Sequence, residues 1–129
     1  MKLEGELPPS TDSEERRRQR VVFLGQDKRT EVVDELVSAL GDPSWRVRKA
    51  ALDSLMRHEG HGAIVPALVK CLGSDDNAGM RNASAEALTR IGAPAVAELL
   101  NQLAVPDVDL QKFAIDVLGE IKHASAVPG

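Results

Sequence analysis

A chain of 129 residues is one domain's worth of polypeptide, and 43% hydrophobic with 28% charged residues excludes disordered and collagen-like classes. Aromatic residues make up 2%, with no Tyr, so the core has to be built from Ala, Val, Leu and Ile, which suits closely approaching helices better than a sheet sandwich. The net charge of −4 is uneven: residues 1–29 carry seven Lys/Arg against six Asp/Glu and residues 30–129 nine against fourteen, and an acidic remainder disfavours nucleic acid or an anionic membrane as the main ligand.

Residues 1–12, with Gly5, Pro8 and Pro9, lack periodic apolar positions and predict a flexible leader. Nothing in them resembles a signal peptide, and no later stretch is apolar enough to span a bilayer, so the expected location is the cytoplasm. Thr11 followed by Glu14 fits a capping box, predicting a capping helix and connector over 13–29. Its apolar end, Val21, Val22, Phe23 and Leu24, is expected to cover the open side of the first full repeat.

From Thr30 the chain repeats itself. Leu36 and Leu40 recur as Leu68 and Leu72 and again as Leu99 and Leu103, offset by 32 and then 31 residues. Further on in each unit Val47, Met80 and Leu110 correspond, as do Leu55, Leu88 and Leu118. Recurrence at this period marks a solenoid, whose units are too small to bury their own faces and stack on their neighbours. Apolar residues three and four apart (Val33, Leu36, Val37, Leu40; then Val47, Ala50, Ala51, Leu55) make each unit two helices. Asp42 before Pro43, Asp75 or Asp76, and Pro106-Asp107 are expected to cap the second helix of each unit. Gly60 and Gly62, Gly92 with Pro94, and the His123-Ala124 region are expected to separate the units. The repeats thus fall at about 30–61, 62–92 and 93–123. The last residues, "SAVPG", match "AIVPA" at 63–67 and read as the start of a fourth unit at 124–129, as in a fragment of a longer array.

The period, the Asp-containing turn, the Val-Arg after it and the following "AxxxL" resemble HEAT-like repeats, in particular the short variety of the phycobilisome lyases. The residues concerned are Asp42, Val47, Arg48, Ala51 and Leu55; Asp76, Met80, Arg81, Ala87 and Leu88; and Asp107, Leu110, Ala114, Leu118 and Gly119, within about 30–129. The resemblance implies an all-α, right-handed superhelix of stacked helical hairpins. It also implies a ladder of hydrogen bonds pairing Asp42 with Arg48 and Asp76 with Arg81, weakened in the third unit by Gln111. HEAT-like arrays bind proteins, serve in bilin attachment, act on alkylated DNA or hold a di-iron centre, so the fold alone leaves function open.

In such arrays the second helices line the concave surface. Spacing by four along them gives the candidate contacts Lys49, Asp53 and Arg57; Asn82, Glu86 and Arg90; and Lys112, Asp116 and Glu120. Their mixed charge suits a protein partner, and equally suits helices that are merely solvated. Trp45, the single Trp, is either an exposed anchor or a plug between units; apolar Ala78 and Val108 at its register favour the plug.

"RHEGHG" at 57–62 invites a metal reading, but the His-Glu pairs of the di-iron relatives follow the Val-Arg, and one pair supplies too few ligands, so no metal is expected. Arg16, Arg17, Arg18 and Arg20 form the one basic cluster, without aromatics to continue it, and read as a solvated helix face. Cys71, the single cysteine, reads as a small buried hydrophobe. No phosphate loop or nucleophilic set is present, so neither catalytic residues nor a cofactor is expected. The expectation is a non-enzymatic protein-interaction scaffold with a concave helical surface. The alternatives are a bilin-lyase-like role and, less favoured, DNA binding or repair. Oligomeric state stays open, because the uncapped end near Val117, Ile121 and Val127 leaves apolar surface that could pair two molecules.

Overall fold

The computed structural model describes residues 9–27, 29, 31–58, 61–74 and 76–126, with the backbone path alone at 9–12, 61–63 and 123–126. The described elements are all helices: α1 (Pro9–Leu24), α2 (Glu31–Ala39), α3 (Trp45–Arg57), α4 (His61–Cys71), α5 (Ala78–Ile91), α6 (Ala93–Gln102) and α7 (Val108–Ala126). Three antiparallel pairs, α2–α3, α4–α5 and α6–α7, stack so that first helices pack on first helices and second on second. The architecture is an α-solenoid.

The leucine register is the reason. Leu36, Leu40, Leu68, Leu72 and Leu99 of the first helices and Leu55 and Leu88 of the second are all at most 1% exposed. Burying each such side chain contributes roughly 1.5–3 kcal/mol. Leu103, Met80, Leu110 and Leu118 are only partly buried, so the core thins toward the C-terminal end.

Helix α1 is more than a cap. It packs chiefly on α3, as α3 packs on α5 and α5 on α7, and so occupies the second-helix place of a preceding unit. Its register agrees: Val21 and Leu24 are buried, each 31 residues before a buried leucine, Leu52 or Leu55. Only these two of the four expected apolar residues fill that role. Val22 is half-buried and Phe23 is 67% exposed, because residues one apart on a helix point about 100° from each other. The helix also begins at Pro9, inside the expected leader, since proline is well tolerated in a first turn. Thr11 therefore lies within it, and the Glu14 carboxylate accepts instead from the hydroxyl of Ser44.

Two of the three expected caps are corrected. Ser44 Oγ accepts from Arg46 N at 3.2 Å to cap α3, and Asn77 Oδ1 accepts from Met80 N at 2.9 Å to cap α5. In the third unit Asp107 Oδ1 accepts from Leu110 N at 3.1 Å, as expected. Asp42 stands two residues too early and turns its carboxylate to Arg17 and to the Ser44 amide. Asp75 lies outside the described residues.

The expected Asp–Arg pairs are also replaced. Arg48 Nη1 donates to the carbonyls of Asp42 (2.8 Å) and Pro43 (3.2 Å), Arg81 Nη1 to that of Ser74, and Gln111 Nε2 to those of Leu103 (3.2 Å) and Val105 (2.7 Å). All three residues satisfy carbonyls of the turn that follows their own unit's first helix, a task that needs only a long donor. Gln111 is therefore an adequate substitute. The ladder between units runs through Arg17 to Asp42 and through Asn77 Nδ2 to the Gly41 carbonyl at 3.0 Å.

At the C-terminal end α7 continues through His123-Ala124 to Ala126, because His-Ala-Ser-Ala contains no helix breaker. Val117 and Ile121, expected to be exposed there, are 3% and 7% exposed, since with Ala114 they form the stripe facing α5 and α6; Val127 lies outside the described residues. The apolar surface at this end belongs to Leu100 and Ile115, 52% and 56% exposed. Val37 and Val69, at the register of Leu100, are 8% and 2% exposed, covered by the unit that follows each.

Candidate functional site: the second-helix face

The nine candidate residues come together as one surface, because the second helices stack in register. Four of them, Lys49, Asp53, Glu86 and Arg90, form a chain of ion pairs. Lys49 Nζ lies 3.7 Å from Asp53 Oδ2, Arg90 Nη1 3.6 Å from Asp53 Oδ1, and Arg90 Nη2 2.7 Å from Glu86 Oε2. The Asp53–Arg90 contact crosses from α3 to α5 and ties two units together. Arg57 Nη2 donates to Ser54 Oγ at 3.4 Å and meets no carboxylate among the described residues. Asn82, Lys112, Asp116 and Glu120 are exposed to solvent.

The charge is graded along the stack. Of the candidate positions, α3 presents two cations and one anion, α5 one of each, and α7 one cation and two anions. A partner lying across the helices therefore meets a field that changes sign from one end to the other.

Trp45 is 64% exposed. The expected plug between units is corrected: Trp45 is the first residue of α3, ahead of the face that packs, and Ala78 and Val108 at the same register are exposed as well. The indole forms the wall between two grooves. One, of about 320 Å³, lies between α1 and α3 and is lined by Arg18, Val22, Arg46, Lys49 and Arg57. The other, of about 260 Å³, lies between α3 and α5 over Leu52, Gly79 and Ala83. Gly79 lies close under Arg48, and a Cβ there would stand 3.0 Å from Arg48 Cζ and Nε, where the guanidinium crosses to the turn carbonyls.

The sequence reading missed the contribution of α1. Arg18 and Val22 stand 31 residues before Lys49 and Asp53, so the array's own period identifies them. Arg18 holds Glu15 through hydrogen bonds of 3.1 and 2.7 Å. Arg18 first, then Gln19 and the charge of Arg46, bring the Glu15 carboxyl down to about 2.

The other candidate features are engaged within the fold. The basic run is divided around the helix, with Arg17 on Asp42, Arg18 on Glu15 and Arg20 on Glu35. His58 is 5% exposed, with its Nε2 3.3 Å from the Arg29 carbonyl. Glu59, Gly60 and the side chain of His61 lie outside the described residues, and among the described residues no cluster of three metal-ligating side chains occurs. Cys71 is buried, as expected, and burial raises its thiol pKa, with the Ser84 hydroxyl opposing the rise weakly. No hydrogen bond of ordinary geometry joins the two, and Ser84 Oγ is buried without a partner. No described helix is long and apolar enough to cross a membrane.

Compared with known proteins, residues 10–89 match the model of a family described as HEAT repeats. The match begins within α1, in agreement with the place of that helix in the stack. A search of curated proteins gave no match.

Proposed function

The chain belongs to the HEAT repeat family, and from that premise we propose that it is a non-enzymatic scaffold whose second-helix face binds another protein. One observation carries the reading: an exposed tryptophan stands between two grooves on a face of mixed, graded charge. Tryptophan and arginine are the residues on which interface energy concentrates, and Trp45 has Arg18 and Arg46 beside it. The face is rigid before binding, since its helices are held by a continuous leucine core, so little ordering entropy is lost when a partner docks.

The ion pairs suggest a variant that tests this cleanly. Lys49→Glu, Asp53→Lys, Glu86→Arg and Arg90→Glu together exchange the sign of every member while keeping each pair opposite in charge. The surface pattern inverts and the internal attractions survive. Capture from a lysate of the source cell is expected to retain at least one protein on the parent chain and lose it on the inverted one, with equal helicity by circular dichroism. Identical capture by both would remove the face from consideration. Titration with a tetrapyrrole, followed by absorbance, tests the role in bilin attachment implied by likeness to the lyase repeats, and a saturable spectral shift would favour that role over the scaffold.

A further inference from the structure

Building on the scaffold reading, we infer that the groove between α1 and α3 is the docking point for an acidic peptide segment, seating an apolar side chain against Trp45 with carboxylates to either side. The groove is lined by four cations, Arg18, Arg46, Lys49 and Arg57, around an apolar floor of Val22 and Ala50. Three carboxylates stand against them. Glu15 is committed to Arg18 at 2.7 Å, whereas Arg46 reaches Glu14 and Glu15 only at 3.9 and 3.4 Å and Lys49 reaches Asp53 only at 3.7 Å. Exposed pairs of such length are weak, so Arg46 and Lys49 can turn to a better-placed carboxylate at small cost. Among the described residues Arg57 has only the Ser54 hydroxyl. The groove therefore offers unsatisfied positive charge around an exposed indole.

The same residues disfavour a nucleic acid. A phosphate backbone needs a continuous basic track, but Asp53 stands inside the groove, and Asp116 and Glu120 close the far end of the face. A peptide with its acidic residues at α1–α3 is matched by the graded field, because its remainder runs toward α5 and α7, where anions accumulate and basic residues are favoured.

Trp45 is the only tryptophan and the chain has no tyrosine, so intrinsic fluorescence reports the two grooves that the indole separates, of which Arg57 lines only the one between α1 and α3. The probe is a capped hexapeptide of two leucines between glutamate pairs, titrated at low salt, with its lysine counterpart and a thymidine oligonucleotide as controls. The acidic probe is expected to shift the emission to the blue and saturate, to weaken about tenfold or more in the Lys49→Glu, Arg57→Glu variant, and to be released by high salt. Both substituted side chains are exposed, and circular dichroism verifies the fold of the variant. The inference falls if the acidic probe gives no saturable change, if the lysine peptide or the oligonucleotide gives the same shift, or if the charge-reversed variant binds equally. A null titration alongside loss of protein capture by the inverted face would overturn the acidic partner while leaving the scaffold in place. A null titration with unchanged capture would overturn both.

Discussion

Arg17, on the helix that opens the described chain, closes two guanidinium nitrogens on the carboxylate of Asp42, at 2.8 and 3.1 Å and across 25 residues of sequence. The bidentate pair joins α1 to the turn of the first hairpin, and the same carboxylate accepts from the Ser44 amide at 2.9 Å, which fixes the cap of α3. Side-chain exposure is 10% for Asp42 and 40% for Arg17, so the pair is screened from one side only.

Acid should loosen this joint. Burial pushes the Asp42 carboxyl up, but the hydrogen bonds from Arg17 and the Ser44 amide more than offset it and leave the pKa below its ordinary value. A carboxyl with a depressed folded-state pKa contributes stability above its unfolded-state pKa, near 4, and loses that contribution as pH falls through the folded value. Asp42→Asn is expected to lower stability by about 1–2 kcal/mol at neutral pH. Its deficit relative to the parent should shrink as urea midpoints are measured from about pH 6 toward pH 3. A deficit that is constant with pH would mean that the carboxylate's charge does not matter.

Gly25 marks a close approach at the other end of α1. A Cβ there would lie 2.4 Å from Ser54 Oγ and 2.7 Å from Ser54 Cβ, and Ser54 is held by its own buried bond to the Val21 carbonyl at 3.2 Å. Because the obstacle includes a Cβ and not merely a flexible tip, Gly25→Ala should destabilise by about 1–3 kcal/mol. Thermal unfolding followed at 222 nm checks it, and an unchanged midpoint would show that α1 slides on α3 without cost.

Ser84 predicts the opposite sign. It is fully buried, its hydroxyl has no hydrogen-bond partner, and its register is that of Ala51 and Ala114 in the flanking units. Ser84→Ala removes an unpaired polar atom from the interior and should be neutral or stabilising by up to about 1 kcal/mol in a denaturant titration. A loss of stability would reveal that the hydroxyl is satisfied, with the sulfur of Cys71 the acceptor at hand.

Trp45 separates folding from binding. An indole that is 64% exposed contributes little to the core, so Trp45→Ala should leave stability within about 0.5 kcal/mol of the parent. The same substitution should weaken partner binding at least about tenfold, as truncation of a central aromatic anchor does. A marked fall in the melting temperature would restore the plug reading of this residue.

The repeats were legible because the leucines of stacked helices keep their spacing whatever the turns do: Leu36, Leu68 and Leu99 fall on one buried line. The caps were less so. Asp, Ser and Asn are near-equal capping residues, and only the structure shows that Arg17 draws Asp42 away and leaves the cap to Ser44. The place of α1 was written in the sequence, in the offset of 31 between Arg17 and Arg48 and between Leu24 and Leu55, but its three consecutive arginines obscure the pattern. The exposure of Trp45 was not written there. The first residues of the second helices are apolar in all three units, and only the structure shows that they lie ahead of the face that packs.

The most direct test of the scaffold is the affinity of one captured protein for three chains: the parent, Trp45→Ala, and the charge-inverted Lys49→Glu, Asp53→Lys, Glu86→Arg, Arg90→Glu. If the second-helix face is the recognition surface, both variants remain folded and both lose at least about tenfold in Kd. If both bind as the parent does, recognition lies elsewhere on the molecule and the central claim is wrong.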